Sequence, residues 1–92
     1  MEFEITHDRD IIGNQIRVVV KAGEKQRILQ VFVEADSSSI GSESLTPPVV
    51  MYARTWRKQG QAGPGRDHTV RVTATDSDGN QESAVEQWQD AS

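Results

Sequence analysis

The stretch from His68 to Asn80 constrains the fold more tightly than any other part of the chain. Within it Val70, Val72 and Ala74 alternate with Thr69, Arg71, Thr73 and Thr75. Successive side chains of a β-strand point to opposite faces, so this spacing buries one row against a core and leaves the other in water. The Asp76-Ser77-Asp78-Gly79-Asn80 segment that follows holds residues tolerant of the positive φ that tight reversals require. A strand running into a hairpin is therefore expected, with Gln81 to Trp88 as the returning strand. Ala84 and Trp88 are also four apart, a helical spacing, but a short reversal into an antiparallel neighbour is the simplest use of the turn.

Other segments repeat the two-residue period. Ile16, Val18, Val20 and Ala22 alternate with Arg17, Val19 and Lys21, and β-branched residues suit a pleated, half-buried surface. Gly23-Glu24-Lys25 closes that strand as a turn. Ile28 to Val33 is the next strand, with Leu29, Val31 and Val33 inward and Phe32 outward. In Val49 to Lys58 the residues Val50, Tyr52 and Trp56 are assigned inward because Tyr and Trp bury the most area, which leaves Arg54 awkwardly on the same face. Phe3 and Ile5 begin a short apolar alternation, and residues 7–14, polar with one Gly, read as a loop or strand switch. Residues 36–48 end in Pro47-Pro48, which cannot donate to a sheet ladder, and read as a connection with a short edge strand near Ile40. Gln59 to Gly65, with three Gly and a Pro, reads as a mobile surface loop. Six or seven short strands without a helical period predict an all-β chain: an antiparallel, immunoglobulin-like β-sandwich forming a single domain over residues 1–92.

Composition narrows the function. Ninety-two residues leave no room for a second domain, and the absence of Cys excludes disulfides, thiolate metal sites and thiol nucleophiles. A net charge of −4 argues against nucleic acid as the main partner, since phosphate binding is driven by Lys and Arg. Residues 51–72 carry Arg54, Arg57, Lys58, Arg66 and Arg71 against Asp67, while residues 73–92 are acidic, so the two segments are expected to compensate across a sheet. The longest apolar run, Val18-Val19-Val20, is far short of the roughly 20 residues that cross a bilayer, so no membrane insertion is expected. Met1 to Ile5 has neither the basic start nor the apolar stretch of a secretory signal. A complete chain is expected in the cytoplasm; a domain cut from a longer exported protein is expected outside the cell or on its surface.

The spacing of Ile28, Val31 and Val33, with His68-Thr69, Val70 to Val72, Ala74-Thr75-Asp76 and the Gly79-Asn80 turn, resembles the bacterial immunoglobulin-like domains that occur in tandem in surface and secreted proteins. The resemblance covers roughly residues 14–88, with its specific residues concentrated in 68–80. Two departures stand out: Glu86-Gln87-Trp88 replaces the family's usual run of alternating Val, and residues 51–65 are more basic and Gly-rich. The resemblance implies a sandwich acting as a spacer, adhesion or binding module, and it implies no catalysis.

Asp76, Asp78 and Asn80 set oxygen-bearing side chains at alternate positions beside Gly79, as at the start of a Ca²⁺ loop. Position twelve counted from Asp76 is Gln87, where such a loop requires a bidentate Glu, so capping of the hairpin is the preferred use and Ca²⁺ the competing one. Neither use requires any other cofactor. Asp67-His68 with Ser77 or Ser83 offers acid, base and nucleophile types, but that chemistry needs a pocket and mutual geometry that spacing does not show. No catalytic residue is assigned. His7 is read as solvated, and two His without Cys make a poor zinc set. Both Trp are expected to fill the core; Phe32 on an outer face, with Trp56, marks the candidate interaction surface. Unprotected edge strands allow a weak homodimer. The expected function is a non-catalytic structural spacer or protein-interaction module whose partner is a protein or a neighbouring domain. The competing reading is a small carbohydrate- or Ca²⁺-binding domain, using a sugar stacked on Trp56 or the 76–80 turn.

Overall fold

Alternating apolar residues form both inner layers of a two-sheet sandwich. The structure, a computed structural model, describes residues 1–10, 13–36, 38–59 and 67–89. Its strands are β1 (Glu2–Asp10), β2 (Gly13–Lys21), β3 (Ile28–Ala35), β4 (Ser38–Val49), β5 (Met51–Gln59), β6 (Asp67–Asp76) and β7 (Gln81–Gln89), with no helix among the described residues. One sheet has the order β1-β2-β5 and the other β4-β3-β6-β7, with every pairing antiparallel. Ile16, Val18 and Val20 of the first sheet pack on Ile28, Val31, Val33, Val70, Val72 and Ala74 of the second. Each fully buried valine or isoleucine contributes about 1.5–3 kcal/mol relative to leaving it in water.

The strand from Asp67 to Asp76 follows its two-residue period without interruption, and β7 pairs with it along its whole length. The inward assignment of Tyr52 and Trp56 is also correct: Tyr52 is buried, and Trp56 is half-buried against the core. Five details differ from expectation. Leu29 is not inward but 38% exposed, while Ile28 is fully buried. The register shifts between Ile28 and Gln30, and the extra residue of this bulge moves Leu29 to the outside. Residues 38–49 form a full twelve-residue edge strand, longer than the short edge strand near Ile40 expected within a connection. Pro47 and Pro48 are tolerated because β4 is an edge strand and its outer side needs no ladder donors. Residues 7–10 continue β1 rather than looping out, pairing as far as Asp10 with Gly13. Val50, assigned inward, lies exposed in the turn between β4 and β5. Of the expected loop over 59–65, Gln59 ends β5 and residues 60–65 lie outside the described residues.

The sandwich has two open sides. β1 meets β7 on one, and β4 meets β5 on the other. Each is closed by a tryptophan, Trp88 on the first and Trp56 on the second. Edge strands also carry charges on their inner faces: Glu43 on β4 aligns with Val31, Arg54 on β5 with Val18, and Glu86 on β7 with Val70. Inward charges of this kind discourage an edge from accepting a foreign strand.

Candidate functional site

At one pole of the sandwich the β6–β7 turn is organised by Asp76. Its Oδ1 accepts the backbone N–H groups of Asp78 and Asn80, each at 2.9 Å, and Gly79 adopts a φ of 88° that a side chain would resist. Gln26 Nε2 donates to Asp76 Oδ2 at 3.4 Å and to Glu82 Oε2 at 3.3 Å, while its Oε1 accepts the Gly23 N–H. The backbone N–H of Asn80, set against burial of the group, holds the Asp76 carboxyl below the usual carboxylate range. Glu82 is lowered as well, first by the N-terminal ammonium at 3.0 Å and then by Gln26. Asp76 is buried and its Oδ1 is engaged by the turn, whereas Asp78 and Asn80 are exposed. Among the described residues no three His, Asp or Glu side chains are grouped to hold a metal ion.

The opposite pole carries a ladder of rings. His7 stacks on Trp88 with centroids 4.0 Å apart and planes 8° from parallel, and His68 stacks on Trp88 at 5.3 Å. His7 is exposed, as expected of its polar segment, and one face of its ring also packs on Trp88, joining β1 to β7. His68 is buried, with Nδ1 2.9 Å from Asp36 Oδ2, and Asp36 Oδ1 accepts the Thr69 N–H at 2.9 Å. Asp36 sits at φ 50°, a region that Asp tolerates better than most residues. Asp36 thus extends the link between β3 and β6 past the end of the ladder. Neither candidate nucleophile is at this pole: Ser77 lies in the β6–β7 turn, and Ser83 Oγ is 3.1 Å from Thr73 Oγ1 on the outer face. A surface recess of about 400 Å³ opens beside His68, Thr69, Gln87 and Trp88.

On the β4–β5 side Trp56 rests on Gly41, and the Arg54 guanidinium lies 4.3 Å from the indole centroid. Arg54 Nη1 also reaches Glu43 Oε1 at 3.1 Å, which resolves its awkward inward position: at a sheet edge the charge crosses to the facing sheet. Tyr52 Oη, Glu43 Oε2 and Trp56 Nε1 are buried together, none in full hydrogen-bond geometry. Burial, followed by the Glu43 carboxylate, pushes the Tyr52 phenol well above its ordinary value. The same phenol, opposed by partial burial and aided by Arg54, holds the Glu43 carboxyl low. With its ring occupied by Gly41 and Arg54, Trp56 does not offer a bare platform for a ligand.

Phe32 lies elsewhere, so Phe32 and Trp56 do not form one surface. It is half-buried on the outer face of the four-stranded sheet. The register sets Ser42, Phe32, Thr73 and Ser83 in one row across the four strands and Ser44, Gln30, Thr75 and Gln81 in the next. A third row is Ser39, Glu34, Arg71 and Val85, where the acid and the base are direct neighbours. Gln81 Nε2 donates to Thr75 Oγ1 at 3.4 Å. Period-two reading identified the outward residues of β6, but the rows depend on strand pairings that no single segment reveals.

No protein-family model, curated protein or solved structure matches the chain.

Proposed function

We propose that the chain is a non-catalytic spacer module of the bacterial immunoglobulin-like type, holding whatever it is joined to at a fixed separation. One observation carries this reading: the two ends of the described chain lie at opposite poles. Met1 bonds Glu82 at the pole of the β6–β7 turn, whereas Gln89 pairs with Asp67 at the pole where His7 stacks on Trp88. The body between them is elongated, 44 × 18 × 18 Å. Segments attached at either end of such a body leave in opposite directions, which suits end-to-end stringing. The strand order, with β2 between β1 and β5, and β3 between β4 and β6, supports the immunoglobulin-like assignment, because sandwiches of that class use the same type of crossed connection. The inward edge charges favour a module that stays separate from its neighbours.

Small-angle X-ray scattering on two copies of the chain fused head to tail tests the reading. The expected maximum dimension approaches twice the 44 Å length of one copy. A fusion that folds back to a maximum dimension near that of a single copy overturns it.

A further inference from the structure

Of the four edge strands, three carry a feature that discourages a foreign strand. β4 holds Pro47, Pro48 and two register shifts besides inward Glu43, β5 turns Arg54 inward, and β7 turns Glu86 inward. β1 has none of these. From Glu2 to His7 its register with β2 is unbroken, it contains no Pro, and its inward residues are Phe3, Ile5 and His7. Phe3 and Ile5 pack against the core but are only partly buried. Among the described strands β1 is hydrogen-bonded to β2 alone, so alternate residues direct their backbone N–H and C=O away from that partner.

We infer that the free edge of β1, from Glu2 to His7, binds an extended peptide strand in which Lys or Arg alternates with apolar residues. A strand added in the plane of the sheet aligns its two faces with those of β1. Inward it lies beside Phe3 and Ile5, where apolar side chains complete the burial of both. Outward it lies beside Glu2 and Glu4, both exposed. Lys21 faces Glu2 and Arg17 is diagonal to Glu4, but both bases stand one strand farther from the edge, about 4.8 Å. Glu4 itself faces Val19. Across the opening Glu86 of β7 is inward and half-buried, and neither it nor Glu4 has an ion-pair partner among the described residues. Opposite charges on adjacent strands favour pairing and like charges oppose it, so the edge selects a basic strand. A second copy is a poor occupant. In a two-fold antiparallel pairing of β1 with itself, opposed residues share a face, and every register centred from Glu2 to His7 sets one of Glu2 or Glu4 against Glu2, Glu4, Asp8 or Asp10. β5 of a second copy would bring Arg54 onto the face of Phe3 and Ile5. Binding at this edge does not rest on the spacer reading, since one copy of the chain presents it whole.

Fluorescence anisotropy and amide hydrogen exchange on the full chain provide the test, with three end-blocked peptides as probes. One is Lys-Val-Lys-Val-Lys-Val-Lys, one holds the same residues in blocks as Lys-Lys-Lys-Lys-Val-Val-Val, and one is Glu-Val-Glu-Val-Glu-Val-Glu. Saturable binding is expected for the alternating Lys peptide alone, with slower exchange in residues 2–7 and no change in β4 or β5. Glu4→Lys is expected to weaken that binding about tenfold, while Glu34→Lys, the same change of charge on the other sheet, leaves it intact. Cooperative thermal unfolding establishes that each variant is folded, and the comparison of the three peptides decides without any variant. The proposal is overturned by no binding of the alternating Lys peptide, by equal binding of the blocked or the Glu peptide, or by equal losses in Glu4→Lys and Glu34→Lys. Protection of residues 2–7 that grows with protein concentration in the absence of peptide assigns the edge to a second copy and overturns it as well.

Discussion

A β-carbon built on Gly41 would run into the six-membered ring of Trp56 across the sandwich, so the indole of β5 lies directly on the bare backbone of β4. The glycine is required here for space rather than for an unusual backbone angle. Gly41→Ala is expected to cost about 1–3 kcal/mol by overpacking, a drop of roughly 4–8 °C in Tm for each kcal/mol in a domain of this size. Combining it with Trp56→Leu should cost less than the sum of the two single changes. Additive losses in thermal melts would show that the two residues are not in conflict.

Acid should act through the Asp76 turn. Because the folded carboxyl is held below its ordinary value, chiefly by the Asn80 N–H, its contribution to stability is present above the unfolded value near pH 4 and is lost as the pH falls through the lower folded value. Tm is therefore expected to fall steeply below about pH 4. Asp76→Asn should flatten part of that slope, the remainder coming from Glu82 and Glu43, which are lowered too. An acid slope unchanged in Asp76→Asn would remove the turn from the account.

Alkali should act through Tyr52, the only tyrosine in the chain. Its folded phenol is raised by burial and by Glu43, so its stabilising contribution is complete below the unfolded value near pH 10 and declines as the pH climbs toward the folded one. Phenolate ultraviolet absorbance should remain absent at about pH 11 while circular dichroism still reports the sheets, and should appear together with unfolding. Phenolate forming near pH 10 in the folded protein would contradict the buried Tyr52–Glu43 arrangement.

The bulge at the start of β3 separates two neighbouring aliphatic residues. Ile28 is fully buried and Leu29 exposed, so Leu29→Gln should change stability by no more than about 0.5 kcal/mol. Ile28→Gln places an amide without a partner in the core and should cost at least about 3 kcal/mol. Urea unfolding of the two variants distinguishes this register from one in which Leu29 points inward.

Much of the sandwich was legible in the chain, and the limits of that legibility have a physical pattern. Val18, Val20, Val31, Val33, Val70, Val72 and Ala74 were readable as core because the two-residue period is a local property of extended backbone, and all seven are buried. Leu29 was misread because a single inserted residue reverses the phase, and no composition signal marks the insertion. Of the strand at 38–49 only a short edge piece near Ile40 was legible, because its Ser and Pro residues have low strand propensity; pairing with β3 at one edge supplies the rest of its order. At the candidate sites, Asp76 as a turn cap was foreseeable from Asp-Ser-Asp-Gly-Asn. The parts played by Gln26, Asp36, His7 and Glu43 were not.

By itself, then, the sequence determined an all-β chain, the inward rows of its central strands and the hairpin at 76–80, since each depends on residues close enough along the backbone to share one segment's geometry. Tertiary structure alone decided which polar groups meet. Gln26 and Asp76 are 50 residues apart and Asp36 and His68 are 32 apart, and such pairs form only once strand order and register bring distant segments within a few ångströms. The rows around Phe32 arise in the same way, from four strands whose alignment is fixed by the core beneath them.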